Sequence, residues 1–376
     1  MNFDYNEEQQ LLADSVRRFM QKDYDFEARR KIVASPEGWS AAAWATMAEM
    51  GLTGLPISPD YGGFGGGAVD LMSVMEAAGE ALVVEPYLPT VALGAQFVAR
   101  GGTEAQKKAI LPGVVEGKLK LAFAHTERGA RYNLAQVAAQ AQKTASGWEI
   151  SGEKCVVLGA PMADKLVVSA KTEKGLSLFL VDAKAAGLTV KSYFTLDEMR
   201  AADIVLKGVK AGPDALIGKE GEALPLIEEV TDFATALVCA EAVGAMKFAC
   251  DTTLEYLKTR KQFGVPIGTF QALQHRMVDM YVAYEQARSM ACLACSKADT
   301  ATDARDRARS VSAAKIKIAD NCRHVSQEAI QLHGGMGMSE ELKVSHTFRR
   351  LTMIAQQFGD ADHHLERFAA LQPAAA

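Results

Sequence analysis

Three stretches of this 376-residue chain carry side chains whose types and spacing could do chemistry. Gly359-Asp-Ala-Asp-His-His364 sets two carboxylates beside two imidazoles, so Asp360 or Asp362 could abstract a proton, or the group could hold a metal. Adjacent histidines point different ways on a helix, so no metal is expected. The plainer reading of the aspartates is a helix cap or a polar contact between subunits. Cys292 and Cys295 have the spacing of a CxxC redox pair, yet they sit in a helical apolar pattern and read as small core residues. Gly62-Gly-Phe-Gly-Gly-Gly67 superficially matches the glycine spacing of a dinucleotide loop. No clear strand precedes it, so it reads as a tight structural loop.

The elements that must position such residues fall into three regions: 1–117, 118–222 and 223–376. The first is helical, with Leu11, Leu12, Val16 and Phe19 near a 3.6-residue period after Asn6 and a capping box at Thr103-Glu-Ala-Gln106. In the second, Trp148-Glu-Ile-Ser, Lys165-Leu-Val-Val-Ser, Leu176-Ser-Leu-Phe, Leu188-Thr-Val and Asp203-Ile-Val-Leu read as short strands between Gly, Asp and Ser turns. They predict a compact β domain, a barrel or sandwich. The third is helical again. Leu226 to Arg260 contains no proline; Met277, Met280, Tyr281, Tyr284, Ala287 and Ala291 mark the inner face of a second helix; Thr302-Asp303 caps a third ending near Leu332. Helices this long bury one another, which predicts a four-helix bundle. The tail Pro373-Ala-Ala-Ala is expected to fray.

Composition narrows the function classes. Hydrophobic residues at 49% and charged residues at 23% exclude wholesale disorder. A net charge of −5 argues against nucleic acid as a partner. No apolar stretch approaches the roughly 20 residues of a membrane span, and Met1–Tyr5 opens no signal-peptide pattern. The six cysteines lie mostly in helical apolar patterns, a reduced distribution that predicts a cytoplasmic protein.

The order helical domain, β domain, helical bundle resembles the acyl-CoA dehydrogenase family, and three motifs agree. Met50-Gly-Leu-Thr-Gly-Leu-Pro-Ile-Ser-Pro-Asp-Tyr-Gly-Gly-Phe-Gly66 is similar to the family's N-terminal signature. Tyr256-Leu-Lys-Thr-Arg-Lys-Gln-Phe-Gly264 followed by Phe270-Gln271, and Gln331-Leu-His-Gly-Gly-Met-Gly337 followed by Phe348-Arg349-Arg350, resemble its two bundle signatures. The resemblance implies FAD, an acyl-CoA thioester and oxidation of its Cα–Cβ bond, with an electron-transfer flavoprotein or other acceptor. It assigns Arg260, Gln262, Phe263, Gln271, Gln331, Gly334 and Gly335 to the ADP half of a flavin bound mainly by a neighbouring subunit, and Thr126 to the chain's own flavin. An arginine can hold a pyrophosphate through charge-assisted hydrogen bonds, and glycines let backbone approach a cofactor closely.

The resemblance also exposes losses. The family's carboxylate base falls here on Phe358, and its second location falls on Ala234. Only Asp232 matches a substrate-contacting aspartate. Thr126-Glu-Arg-Gly-Ala-Arg-Tyr-Asn133 puts Arg128, Arg131 and Tyr132 where the family has proline, glycine and serine. Val156-Val157-Leu158 replaces a Trp-Ile-Thr segment that lies against the isoalloxazine. Features serving the chain's own flavin are degraded, while those reaching toward a neighbour's are kept. That asymmetry predicts a non-catalytic partner in an α2β2 assembly. The Phe-Gly-Asp-Ala-Asp-His-His segment resembles small subunits of pimeloyl-CoA-type dehydrogenases and of relatives acting on sterol-derived acyl-CoAs. The alternatives are an active homo-oligomer with Asp360 or Asp362 as base, and a scaffold without flavin.

Overall fold

The computed structural model describes residues 6–371; the readings of Met1–Tyr5 and of the Pro373-Ala-Ala-Ala tail lie outside them. Six helices come first: α1 (Glu7–Asp23), α2 (Phe26–Val33), α3 (Ala41–Glu49), α4 (Ala68–Ala81), α5 (Ala95–Gly101) and α6 (Glu104–Val115). Eight strands follow: β1 (Leu121–Ala124), β2 (Gln140–Thr144), β3 (Gly147–Leu158), β4 (Lys165–Thr172), β5 (Gly175–Asp182), β6 (Leu188–Phe194), β7 (Arg200–Ala211) and β8 (Leu216–Ile217). The long helix α7 (Leu224–Thr259) leads through the short hairpin β9 (Lys261–Gln262) and β10 (Val265–Pro266) into α8 (Gln271–Thr300). Then come α9 (Ala304–His333), α10 (Lys343–Gln356) and α11 (Ala361–Ala370). This is the expected order of helical region, β domain and helical bundle.

Contacts divide the chain into two compact units, and α7 runs through both. One gathers residues 32–67 and 84–234 around an eight-stranded sheet of order β6-β7-β3-β2-β4-β5-β8, with β1 parallel to β4. Its core includes Ile150, Leu166, Val168, Leu178 and Ile204, all without exposure, and β4 and β5 are buried along most of their length. The expected capping box at Thr103 is present: its hydroxyl accepts from Gln106 N, and Gln106 Oε1 accepts from Thr103 N. The glycine run of 62–67 is indeed tight, since a Cβ on Gly63 would fall 2.1 Å from the Ile57 carbonyl oxygen.

The other unit gathers residues up to 31, 68–83 and 235 onward. Asp303 accepts from Arg305 N as the N-cap of α9. Helices α8 and α9 run antiparallel, tied by Arg276 to Glu328 at 2.6 Å and by Asn321 Nδ2 to the Ala283 carbonyl at 2.7 Å. Two expected inward positions face out instead. Leu11 is 65% exposed because α1 buries Ala13, Val16, Phe19 and Met20; Tyr281 is 55% exposed because α8 turns Met280 and Ala283 inward. Contrary to the reading that no apolar stretch approaches a membrane span, α7 is long and apolar enough to cross one, but 89% of its apolar window is buried inside the protein, the mark of a core helix.

Helices α4 and α7 cross at near backbone contact. A Cβ on Gly79 would lie 1.9 Å from the Glu241 carbonyl oxygen, and one on Gly244 would lie 1.8 Å from that of Glu76. Neither oxygen can swing aside as a side chain would. Gly79→Ala and Gly244→Ala are each expected to lower stability by about 3 kcal/mol. Gly212→Ala, where a Cβ meets nothing within 4 Å, should leave the unfolding midpoint unchanged. Thermal unfolding of the three variants checks this.

Candidate cofactor-clamping end of the bundle

The C-terminal ends of α7 and α9 come together at one end of the bundle, where the Tyr256 and His333 rings stack at 4.5 Å. The antiparallel register brings the start of α8, with Gln271, to the same end. Sequence-assigned Arg260, Gln262, Phe263, Gln271, Gln331, Gly334 and Gly335 all fall here, and all are exposed. Local structure explains why they stay open. Gly334 sits at φ 60, where α9 ends, and nothing lies within 4 Å of a Cβ added at Gly334 or Gly335. The hairpin β9–β10 is closed by Ile267 N donating to the Arg260 carbonyl, and it holds Phe263 at φ 55 with 90% exposure. Among the described residues, the Arg260 guanidinium has no carboxylate partner. The same end exposes the Arg260 cation, the Gly334–Gly335 backbone and the apolar side chains of Phe263, Phe270, Met336 and Met338, groups chemically suited to the phosphates and adenine of a dinucleotide.

The two positions where the resemblance places the base hold no acid. Ala234 is fully buried in α7, as is Asp232 nearby at 1% exposure. Phe358 ends the α10 segment in the left-handed region, φ 61, which bulky residues rarely adopt. Three groups hold it there. Lys315, fully buried on α9, donates to the carbonyls of Ile354, Ala355 and Gly359 at 2.8–3.1 Å. His364 Nε2 donates to the Phe358 carbonyl at 3.2 Å, which leaves Nδ1 to accept from the Ser312 hydroxyl. Asp360 caps α11, its carboxylate accepting from His363 N at 2.9 Å. Gly359, φ 128, admits no side chain, since a Cβ would meet the His363 and His364 rings at 2.5–2.9 Å. Asp362 lies exposed on α11.

Sequence reasoning missed Lys315 and the buried role of His364. The signal was present: Lys315 interrupts an apolar stripe of Ala308, Val311, Ile318 and Cys322 at helical spacing, and a lysine there must find carbonyls or a carboxylate. Burial pushes the His364 imidazole down to about 2, helped by the Lys315 charge, so it is neutral.

Thr126 lies in the other unit, exposed just after β1, with its carbonyl accepting from Cys155 N. Beneath it, Lys154 is buried and donates to Glu127 at 2.7 Å, to Ser169 Oγ at 3.0 Å and to the His125 carbonyl. Burial pushes Lys154 down to about 8 and His125 down to about 3. The departures from the family meet beside this network. Val156, a β-branched residue at φ 51, breaks the β3–β7 register, and its amide is used internally, donating to Tyr193 Oη and Asp203. Asp203 in turn pairs with Arg128 at 3.0 Å. The residues that the resemblance assigns to the ADP half of FAD therefore lie open, whereas in the segment it assigns to the isoalloxazine ring the Val156 amide is used internally.

Family models for the acyl-CoA dehydrogenase N-terminal, middle and C-terminal domains match residues 6–118, 122–209 and 224–370. The chain belongs to the acyl-CoA dehydrogenase family. These are FAD-dependent oxidoreductases acting on a CH–CH bond. Acyl-CoA dehydrogenase FadE12 of Mycobacterium tuberculosis is 30% identical over 374 residues, covering 94% of this chain and 93% of that one. Among solved structures, the Tcur3481-Tcur3483 steroid ACAD is 31% identical with a TM-score of 0.88, covering 97% of both chains. The ChsE4-ChsE5 complex from Mycobacterium tuberculosis is 26% identical with a TM-score of 0.90, covering 100% of both.

Proposed function

We propose that this acyl-CoA dehydrogenase chain is the non-catalytic member of a cytoplasmic α2β2 assembly, clamping the ADP half of a flavin whose reactive ring and base belong to a second family subunit. The observation that carries this reading is the asymmetry between the chain's two flavin-facing surfaces. Arg260, Gln271, Gln331, Gly334 and Gly335 remain open for a cofactor. Phe358 and Ala234 hold no carboxylate, and the Val156 amide is spent on Tyr193 and Asp203. Asp360 is engaged as the cap of α11. The two-component ChsE4-ChsE5 and Tcur3481-Tcur3483 neighbours support a heteromeric assembly and a bulky sterol-type acyl-CoA as substrate. FAD, when bound, takes the hydride from the substrate's β-carbon. This chain's contribution is to hold the phosphates and exclude water from them.

Flavin stoichiometry tests the reading. The chain purified alone is expected to be colourless, and its complex with an acid-bearing family subunit should carry one FAD per pair of unlike chains. In that complex Arg260→Ala should weaken flavin binding roughly ten- to a hundredfold, the equivalent of a charge-assisted hydrogen bond of about 1.5–3 kcal/mol. A stoichiometric flavin on the homo-oligomer, with turnover lost in Asp360→Asn or Asp362→Asn, would establish the active homo-oligomer instead. A colourless complex would establish the flavin-free scaffold.

A further inference from the structure

Lys343 opens α10 with no side-chain cap before it, because the preceding residue is Leu342. A cation there faces the positive end of the helix dipole, the unfavourable arrangement. Its ammonium rests 4.1 Å over the Phe248 ring and, among the described residues, has no carboxylate within ion-pair distance. The side chain lines a cavity of about 230 Å³ with Met20, Tyr24, Ala77 and Ala81. Charged groups reach it from three helices. Glu80 on α4 favours its proton and Arg29 on α2 opposes it, while Arg17 on α1 and Asp25 after it line the same cavity. Burial outweighs them and pushes the amine down to about 8.

We propose that Lys343 is a self-acylation site, whose amine takes the acyl group of a short-chain acyl-CoA thioester into the adjacent cavity. The inference stands apart from the non-catalytic reading, since it needs neither the flavin nor the second subunit. The nitrogen attacks the thioester carbonyl, the C–N bond forms as the C–S bond breaks, and the amine's proton leaves with the sulfur as free CoA thiol. Nothing is oxidised or reduced. The amide product removes a positive charge from the helix N-terminus, and its methyl group meets Met20, Ala77 and Ala81.

The test incubates the full chain, in its assembled form, with acetyl-CoA from pH 7 to 10 and quantifies acetylation at each lysine by peptide mass spectrometry. Lys219, with an 82% exposed side chain, serves as the internal reference. At pH 8 Lys343 is expected to acetylate at least about tenfold faster than Lys219, since an ordinary amine is almost wholly protonated there. Its rate should level off above about pH 8 while that at Lys219 keeps rising. A rate at Lys343 no greater than at Lys219, or one that climbs to pH 10 without a plateau, would overturn the proposal.

Discussion

Arg350→Met is expected to lower the unfolding free energy by about 3–5 kcal/mol, because it strands a buried carboxylate. Arg350 on α10 and Glu241 on α7 are each about 5% exposed on their side chains. They meet in a bidentate pair, Nε to Oε1 at 2.6 Å and Nη2 to Oε2 at 2.7 Å. Losing the cation alone leaves Glu241 with neither water nor a counter-charge. Replacing both, as Arg350→Met with Glu241→Leu, removes the charge and the need for it, so most of the stability should return. Urea unfolding of the two single variants and the double variant checks this cycle. Equal losses in the single Arg350 variant and the double variant would show that the pair contributes packing alone.

Acid should unfold the protein steeply, and two imidazoles account for much of it. An unfolded histidine takes up its proton near pH 6.5, whereas folded His125 and His364 resist until about 3 and about 2. Between those limits the unfolded state binds more protons, so stability falls as the pH falls. Each group contributes a slope of about 1.4 kcal/mol per pH unit. From pH 6 to pH 4 the two together remove about 5 kcal/mol, comparable with the whole stability of a marginal domain. His364→Gln keeps a donor for the Phe358 carbonyl but cannot titrate. Its stability between pH 6 and 4 should fall less steeply than wild type by about 1.4 kcal/mol per unit. Parallel slopes for variant and wild type would show that His364 protonates normally in the fold.

Legibility in the sequence followed the range of the forces involved. Thr103 and Asp303 announced helix starts because caps act within three residues, and the strands around Trp148, Leu166 and Leu178 showed because short apolar and β-branched runs lie between Gly, Asp and Ser turns. Arg260 and Gly334 stay exposed because nothing internal competes for those residues. Leu11 and Tyr281 misled because periodicity gives a helix's apolar face only to within about one residue. Val156 in the left-handed region and the segment Leu88–Gly94 were not legible. The latter packs so closely on β1 that a Cβ on Gly94 would lie 2.2 Å from that of Leu121, and only the tertiary partner creates that constraint.

The ammonium of Lys315 has one further consequence. The last carbonyls of α10 and the Gly359 carbonyl, groups that water ordinarily serves at a helix end, are closed by a side chain from the middle of α9. Local fraying of that helix end would leave an unsolvated cation in the core, so the stretch from Ile354 to Asp360 cannot open by itself. Its amides are tied to the opening of α9, and their hydrogen exchange should be slow and cooperative with that helix rather than graded toward the chain terminus. A loop beside a helix end, ordinarily among the first parts of a protein to breathe, is thereby among the last.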